Sequence, residues 1–166
     1  MGKGQYSSTA KTARRLKYRP TETGLAIAEM LKDRGVQVNK DNTVTLYHAT
    51  TSNNVADILE NGFRGNNSPI GGGVAIGEKI GPRSFFGLDR EWTKRTWGGS
   101  NSEIIEVKVP VDYIRQGSGD DNLEVYIEGN LKPTGSSNIW IPDRKPTSTF
   151  YDRIALKMYG KQSRRR

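Results

Sequence analysis

The chain has no cysteine and a single histidine, His48, among 166 residues. Without thiols, a disulfide scaffold, a thiolate nucleophile, a zinc finger and an iron–sulfur site are excluded. One imidazole leaves little for a transition-metal centre, and no loop spaces carboxylates as a calcium hand requires, so no metal is expected. Long apolar runs are also missing. None reaches the roughly 20 residues of a membrane span, and the N-terminal MGKGQYSSTAKTARRLKYRP lacks the apolar core of a signal peptide. The expectation is a soluble chain with no membrane partner, which another segment or machine must carry if it is exported.

What is present in excess is positive charge, and it is unevenly spread. The formal net charge is +8. Residues 1–20 hold six Lys or Arg and no acid, residues 157–166 hold five and no acid, and residues 21–156 hold fifteen bases against eighteen acids. The expected organisation is therefore a basic N-terminal arm (1–20), one globular domain (21–156) and a basic C-terminal end (157–166). Basic ends on a mildly acidic body suit accessory arms for a polyanion such as RNA or DNA, because each phosphate neutralised releases counterions. Solubilising tails would have the same composition.

Within the body, TETGLAIAEMLKDRG predicts a helix over residues 22–34 with Leu25, Ala28, Met30 and Leu31 inward and Gly35 as its stop. NTVTLYHAT alternates Val44, Leu46 and His48 against Thr45 and Tyr47, which predicts a strand with His48 at its end. A helix capped by Ser52 or Asn53 follows, with Val55, Ile58 and Leu59 on one face and Gly62 as its stop. Residues 64–82 read as a glycine-rich loop. Residues 72–79 approach a phosphate-binding loop, but Glu78 stands where the lysine belongs and no Ser or Thr follows Lys79, so that motif is rejected. The loop suits a lid over a cleft or plain disorder. RSFFGL, EIIEVKVPV, LEVYIEG and SNIWIPD predict strands, REWTKRTWGG a short helix and TFYDRIALKMYG a terminal helix. The class is α+β with a largely antiparallel or mixed sheet.

Three features carry possible chemistry. His48 precedes Ala49, Thr50 and Thr51, where a small residue's backbone can meet a planar amide while imidazole and hydroxyl meet sugar oxygens. A hydrogen-bonded core histidine would look the same. Phe85, Phe86 and Trp97 suit a ring-stacking site or a core. Glu124 opens a strand after the polar turn GSGDDN, and a solvated edge carboxylate is its plain reading. Glu128 shares its strand face and rivals it.

Taken in order, TLYHATTSNNVADILENGF, RSFFGLDREWTKRTWGG and LEVYIEGNLKP resemble the ADP-ribosyltransferase superfamily, in its histidine-containing branch shared by diphtheria-type toxins and poly(ADP-ribose) polymerases. The resemblance covers residues 43–133. It implies a split sheet flanked by helices and NAD+ as co-substrate. It also implies Glu124 as catalytic carboxylate, with His48 on the adenosine-side ribose. Ala49 would pair with the nicotinamide amide, and Tyr47, Thr50, Phe85, Phe86 and Trp97 would complete the dinucleotide site. Phe85 stands where the family has a tyrosine, so that hydroxyl is absent. Asn122 stands where arginine-modifying members have a second glutamate, which argues against an arginine acceptor. Compact, basic-tailed chains of this kind resemble effector domains of bacterial polymorphic toxins, which implies a secreted parent protein, action in a target cell's cytoplasm and a cognate immunity protein. The expected acceptor is nucleic acid, RNA before DNA, with protein as the alternative. NAD+ hydrolysis, removal of an RNA 2′-phosphate and a non-catalytic basic RNA-binding module remain rival readings.

Overall fold

A computed structural model describes residues 19–67, 78–117, 123–135 and 138–160. The basic segments 1–18 and 161–166, the core of the expected lid (68–77) and Asn122 lie outside the described residues. The described part is an α+β unit with antiparallel sheets. It contains α1 (Glu22–Asp33), β1 (Thr43–Thr51), α2 (Ser52–Asn61), β2 (Arg83–Gly87), α3 (Arg90–Trp97), β3 (Ser102–Pro110), β4 (Arg115–Gln116), β5 (Glu124–Glu128), β6 (Leu131–Pro133), β7 (Trp140–Pro142) and α4 (Phe150–Tyr159). A single 3-10 turn, Val111–Tyr113, joins β3 to β4.

The main sheet runs β3-β1-β2-β5-β4, and β6 and β7 form a separate hairpin. Period-two alternation decides which face of β1 is buried. Val44, Leu46 and His48 stand opposite Val109, Val107 and Ile105 of β3 and share one face. Apart from His48, these residues belong to one core cluster with Phe63, Phe86, Leu131, Val125, Ile127 and Trp140, and the apolar side of α1 is part of the same cluster. Helix α1 starts because Thr21 caps it, its hydroxyl accepting from the Gly24 N–H at 3.0 Å. Its buried face is Ala26, Ile27, Ala28, Met30 and Leu31, with Leu25 only partly covered.

Four expectations need correction. Strand β1 does not end at His48 but continues to Thr51, because β3 pairs with it over its whole length. Thr51, not Ser52 or Asn53, is the N-cap of α2, and its side chain makes no capping bond. Leu59 is 54% exposed rather than inward, since only Val55 and Ile58 of α2 pack against the core. Helix α4 runs to Tyr159, so Lys157 belongs to the folded unit rather than to a basic end beginning at 157.

Candidate functional site

The site arises where β1 and β2 part. Their ladder has one pair, Tyr47 opposite Gly87. The Lys108 N–H turns away from β1 to the Asn138 carbonyl at 3.2 Å. Since Lys108 is opposite Thr45, the two form a non-hydrogen-bonded pair, and the peptide groups of Thr45, Tyr47 and Ala49 all point toward β2. Ladder geometry would next set Ala49 against Phe85. Instead the Phe85 carbonyl receives the His48 Nδ1–H at 3.1 Å. Two residues further on, Arg83 exchanges both backbone bonds, each 2.9 Å, with Asn66. The chain between α2 and β2 therefore takes the edge that β1 leaves. Gly62 makes this route possible: at φ 85° it ends α2 and turns the chain so that Phe63 pairs with Leu131 through bonds of 2.7 and 2.8 Å.

The opening is a cavity of about 560 Å³ lined by His48, Ala49, Thr50, Asn54, Asp57, Ile58, Gly62, Phe63, Arg64, Asn66, Arg83, Ser84, Phe85 and Trp97. Its size is in the range that holds a small organic ligand. A shallower cavity of about 380 Å³ continues past Ala49, Thr50 and Trp97 to residues 99–102.

His48 is fixed in this wall by its neighbours. Its ring meets Phe63 edge-on at 4.9 Å and Phe86 at 5.6 Å. Because a carbonyl only accepts, Nδ1 must carry the proton, and the neutral ring then presents its lone pair at Nε2. Burial pushes the His48 pKa below its usual value of 6.5, and the bond to the Phe85 carbonyl opposes that shift in part.

Of the residues expected at a dinucleotide site, His48, Ala49, Thr50, Phe85 and Trp97 are brought together in this one cavity. Tyr47 and Phe86 are not among its lining residues. Tyr47 alternates to the opposite face and lines a separate pocket of about 250 Å³ with Arg34, Thr45, Asp89 and Leu123, where burial raises its hydroxyl pKa. Phe86 is fully buried and supports the His48 ring from the core side.

Glu124 does not line the cavity either, but its position relative to it is set by register. Phe85 is opposite Tyr126, Gly87 opposite Glu124 and Arg83 opposite Glu128, so Phe85, Tyr126 and both carboxylates share a face and Glu124 and Glu128 are the two diagonal neighbours of Phe85. Diagonal positions lie about 7–8 Å apart, within reach of long side chains. Glu124 is partly exposed and its side chain rests over Gly117, where a Cβ would come within 2.7 Å of its Cγ and Oε1.

Glu128 at the other end of β5 is 1% exposed and already engaged. Its carboxylate accepts from the Thr147 N–H and hydroxyl, both at 2.9 Å, and pairs with Arg144 at 2.9 Å. A carboxylate so enclosed holds the chain ahead of α4 and is not placed to meet a ligand.

Sequence reasoning did not single out Asn54, Asp57, Phe63, Arg64 or Arg83 as part of a site. One signal existed: Asn54, Asp57 and Ile58 recur at helical spacing, so polar groups share a face with an apolar one. Arg83 sits two residues before Phe85 on the same strand face, and its guanidinium lies 5.5 Å from the Phe85 ring centroid. No group of three or more His, Asp or Glu among the described residues is placed to hold a metal ion. Among them, too, no helix is long and apolar enough to cross a membrane. The chain matches no protein-family model, no curated protein and no solved structure at a significant level.

Proposed function

We propose that the chain is an NAD+-dependent ADP-ribosyltransferase with a split-sheet core of that superfamily's kind, transferring ADP-ribose to a macromolecule, RNA in the first place. One observation carries the reading: the gap between β1 and β2 gathers His48, the Ala49 peptide edge, Phe85 and Trp97 around one cavity, with Glu124 on a diagonal position next to Phe85.

Each group fits a part of the dinucleotide. The N–H and C=O of Ala49, both aimed at the gap, complement the donor and acceptor of a carboxamide. Phe85 and Trp97 offer ring surface for the pyridinium. Nε2 of neutral His48 accepts a hydrogen bond from a ribose hydroxyl of the adenosine side. Arg64 and Arg83 bring positive charge for the diphosphate. In the reaction the bond from ribose C1′ to the nicotinamide nitrogen breaks and its electron pair leaves with nicotinamide. The acceptor's nucleophile then bonds C1′ and gives up its proton. Between these events the sugar is oxocarbenium-like, and Glu124 accepts from the ribose 2′-hydroxyl and stabilises the positive charge, as carboxylates do in glycoside hydrolysis. By the same resemblance the domain is the effector part of a larger secreted toxin. It would act in a target cell's cytoplasm and be neutralised by an immunity protein.

The test is incubation with NAD+ labelled in its adenylate half and separate RNA, DNA and protein fractions. The reading expects label bound to RNA, lost with Glu124→Gln. Label recovered only as free ADP-ribose indicates a hydrolase. Unconsumed NAD+ with intact RNA binding indicates a binding module without catalysis.

A further inference from the structure

We infer that the outer face of α4 is a docking platform for single-stranded nucleic acid, built from Phe150 and Tyr151 with Arg153 and Lys157. The inference rests on the nucleic-acid acceptor proposed above and names where that acceptor is held. Two adjacent aromatic rings stand out of the surface here, Phe150 46% and Tyr151 40% exposed, with Met158 60% exposed two turns along. The rings meet edge-on at 5.8 Å, so they are roughly perpendicular and each keeps surface for a base. Aromatic faces interleaved with cations are the recurring means of holding unpaired bases without sequence preference.

Charge selects the occupant. The only acid of α4, Asp152, is buried, whereas Arg153 and Lys157 are exposed, Arg153 pairing loosely with Glu78 at 3.7 Å. In the sequence Lys145 precedes the helix, Lys161 and three arginines at 164–166 follow it, and no other acid occurs after Asp143. A polyanion complements this stretch, while a second copy of it would be repelled.

The platform is held rigidly. Thr149 and Asp152 form a reciprocal capping box. Asp152 also pairs with Arg115 at 3.2 Å, with side chains only 6% and 7% exposed. The Phe150 N–H donates to the Glu78 carboxylate at 2.9 Å. The same contacts locate the platform relative to the site. Arg115 is opposite Tyr126, Tyr126 is opposite Phe85, and Tyr126, whose pKa is raised first by burial, also feels the Asp152 charge. The start of α4 therefore stands at the edge of the sheet face that carries Tyr126 and Glu124, opposite the face of Val125 and Ile127.

The experiment is fluorescence anisotropy of the full chain with a labelled short single-stranded RNA and with the same sequence as a duplex, across salt concentrations and without NAD+. Binding is then read independently of whether the dinucleotide is turned over. Phe150→Ala with Tyr151→Ala is expected to weaken single-strand binding about tenfold or more, given roughly 1–3 kcal/mol per stacked base, and to affect the duplex far less. Phe150→Tyr with Tyr151→Phe keeps the rings and should retain affinity. Lys157→Ala should lower the salt slope by about one. Thermal unfolding checks that these exposed changes leave the fold intact. The inference is overturned if the double alanine variant binds the single strand as well as the parent. Equal losses for duplex and single strand also overturn it. So does a variant that loses self-association or protein labelling instead of RNA binding.

Discussion

Strand β5 carries a carboxylate at each end, and the two have opposite surroundings. Glu128 is enclosed by Thr147 and Arg144 and is almost without exposed surface. Glu124 is partly open, sits over a glycine and shares its face with Phe85 at the cavity wall. Both alternate to the same side of one strand, so period and residue type cannot tell them apart. A buried carboxylate with several donors serves the fold, whereas Glu124 keeps exposed surface on the same strand face.

The sharpest way to break this comparison is to neutralise each carboxylate in turn. Glu124→Gln should lower transfer at least about a hundredfold, the scale for losing one transition-state electrostatic contact, and lower the urea midpoint less than the change at the enclosed Glu128 does. Glu128→Gln should do the reverse. It keeps its shape but loses charge-assisted bonds, costing roughly 1–3 kcal/mol of stability, with the half-exposed Arg144 holding the loss to that range. Urea unfolding reads it, and folded Glu128→Gln should keep turnover.

A smaller effect sharpens the account of how Glu124 is aimed. In Gly117→Ala the new Cβ would stand 2.7 Å from the Glu124 Cγ and Oε1 and 2.8 Å from its backbone oxygen, so the side chain must move. Turnover should fall about tenfold from misplacement alone, seen in kcat rather than in the KM for NAD+. An unchanged kcat would mean that the observed carboxylate position is not the working one.

The smallest effect is in pH. The His48 pKa is lowered by burial, so the ring stays neutral to below pH 6.5. The KM for NAD+ should stay flat as pH falls from 8 through 6.5, then rise at lower pH as Nε2 gains a proton. Stability follows the same sign. The unfolded chain protonates near 6.5, ahead of the folded one, so His48 begins to destabilise the fold below that pH and the loss stops at the folded pKa. A KM that climbs between pH 7.5 and 6.5 would contradict the buried, carbonyl-bonded imidazole.

Much of this architecture was legible in the sequence because it is local. Val44-Leu46-His48 and Ile105-Val107-Val109 announce their strands by alternation, and Gly35 marks the end of the first helix, whereas its Thr21 cap was not singled out. The gap between β1 and β2 was not legible. It depends on a His48 side chain taking the Phe85 carbonyl, 37 residues away, and on Asn66 occupying the edge of Arg83. The two-residue β4 carries too few positions to show a period. The enclosure of Glu128 by Thr147 and the exposure of Leu59 are likewise settled by distant packing rather than by neighbours in sequence. Within the site, His48, Ala49, Thr50, Phe85 and Trp97 could be read directly and Tyr47 and Phe86 were read into it in error, whereas Arg64 and Arg83 join His48 only through the fold.

The most direct measurement is the rate of nicotinamide release from NAD+ by the parent chain, Glu124→Gln and Glu128→Gln, each first shown to be folded. The account predicts release by the parent and by Glu128→Gln, and loss of about two powers of ten or more in Glu124→Gln. No release by the parent, or a folded but inactive Glu128→Gln beside an active Glu124→Gln, would contradict it.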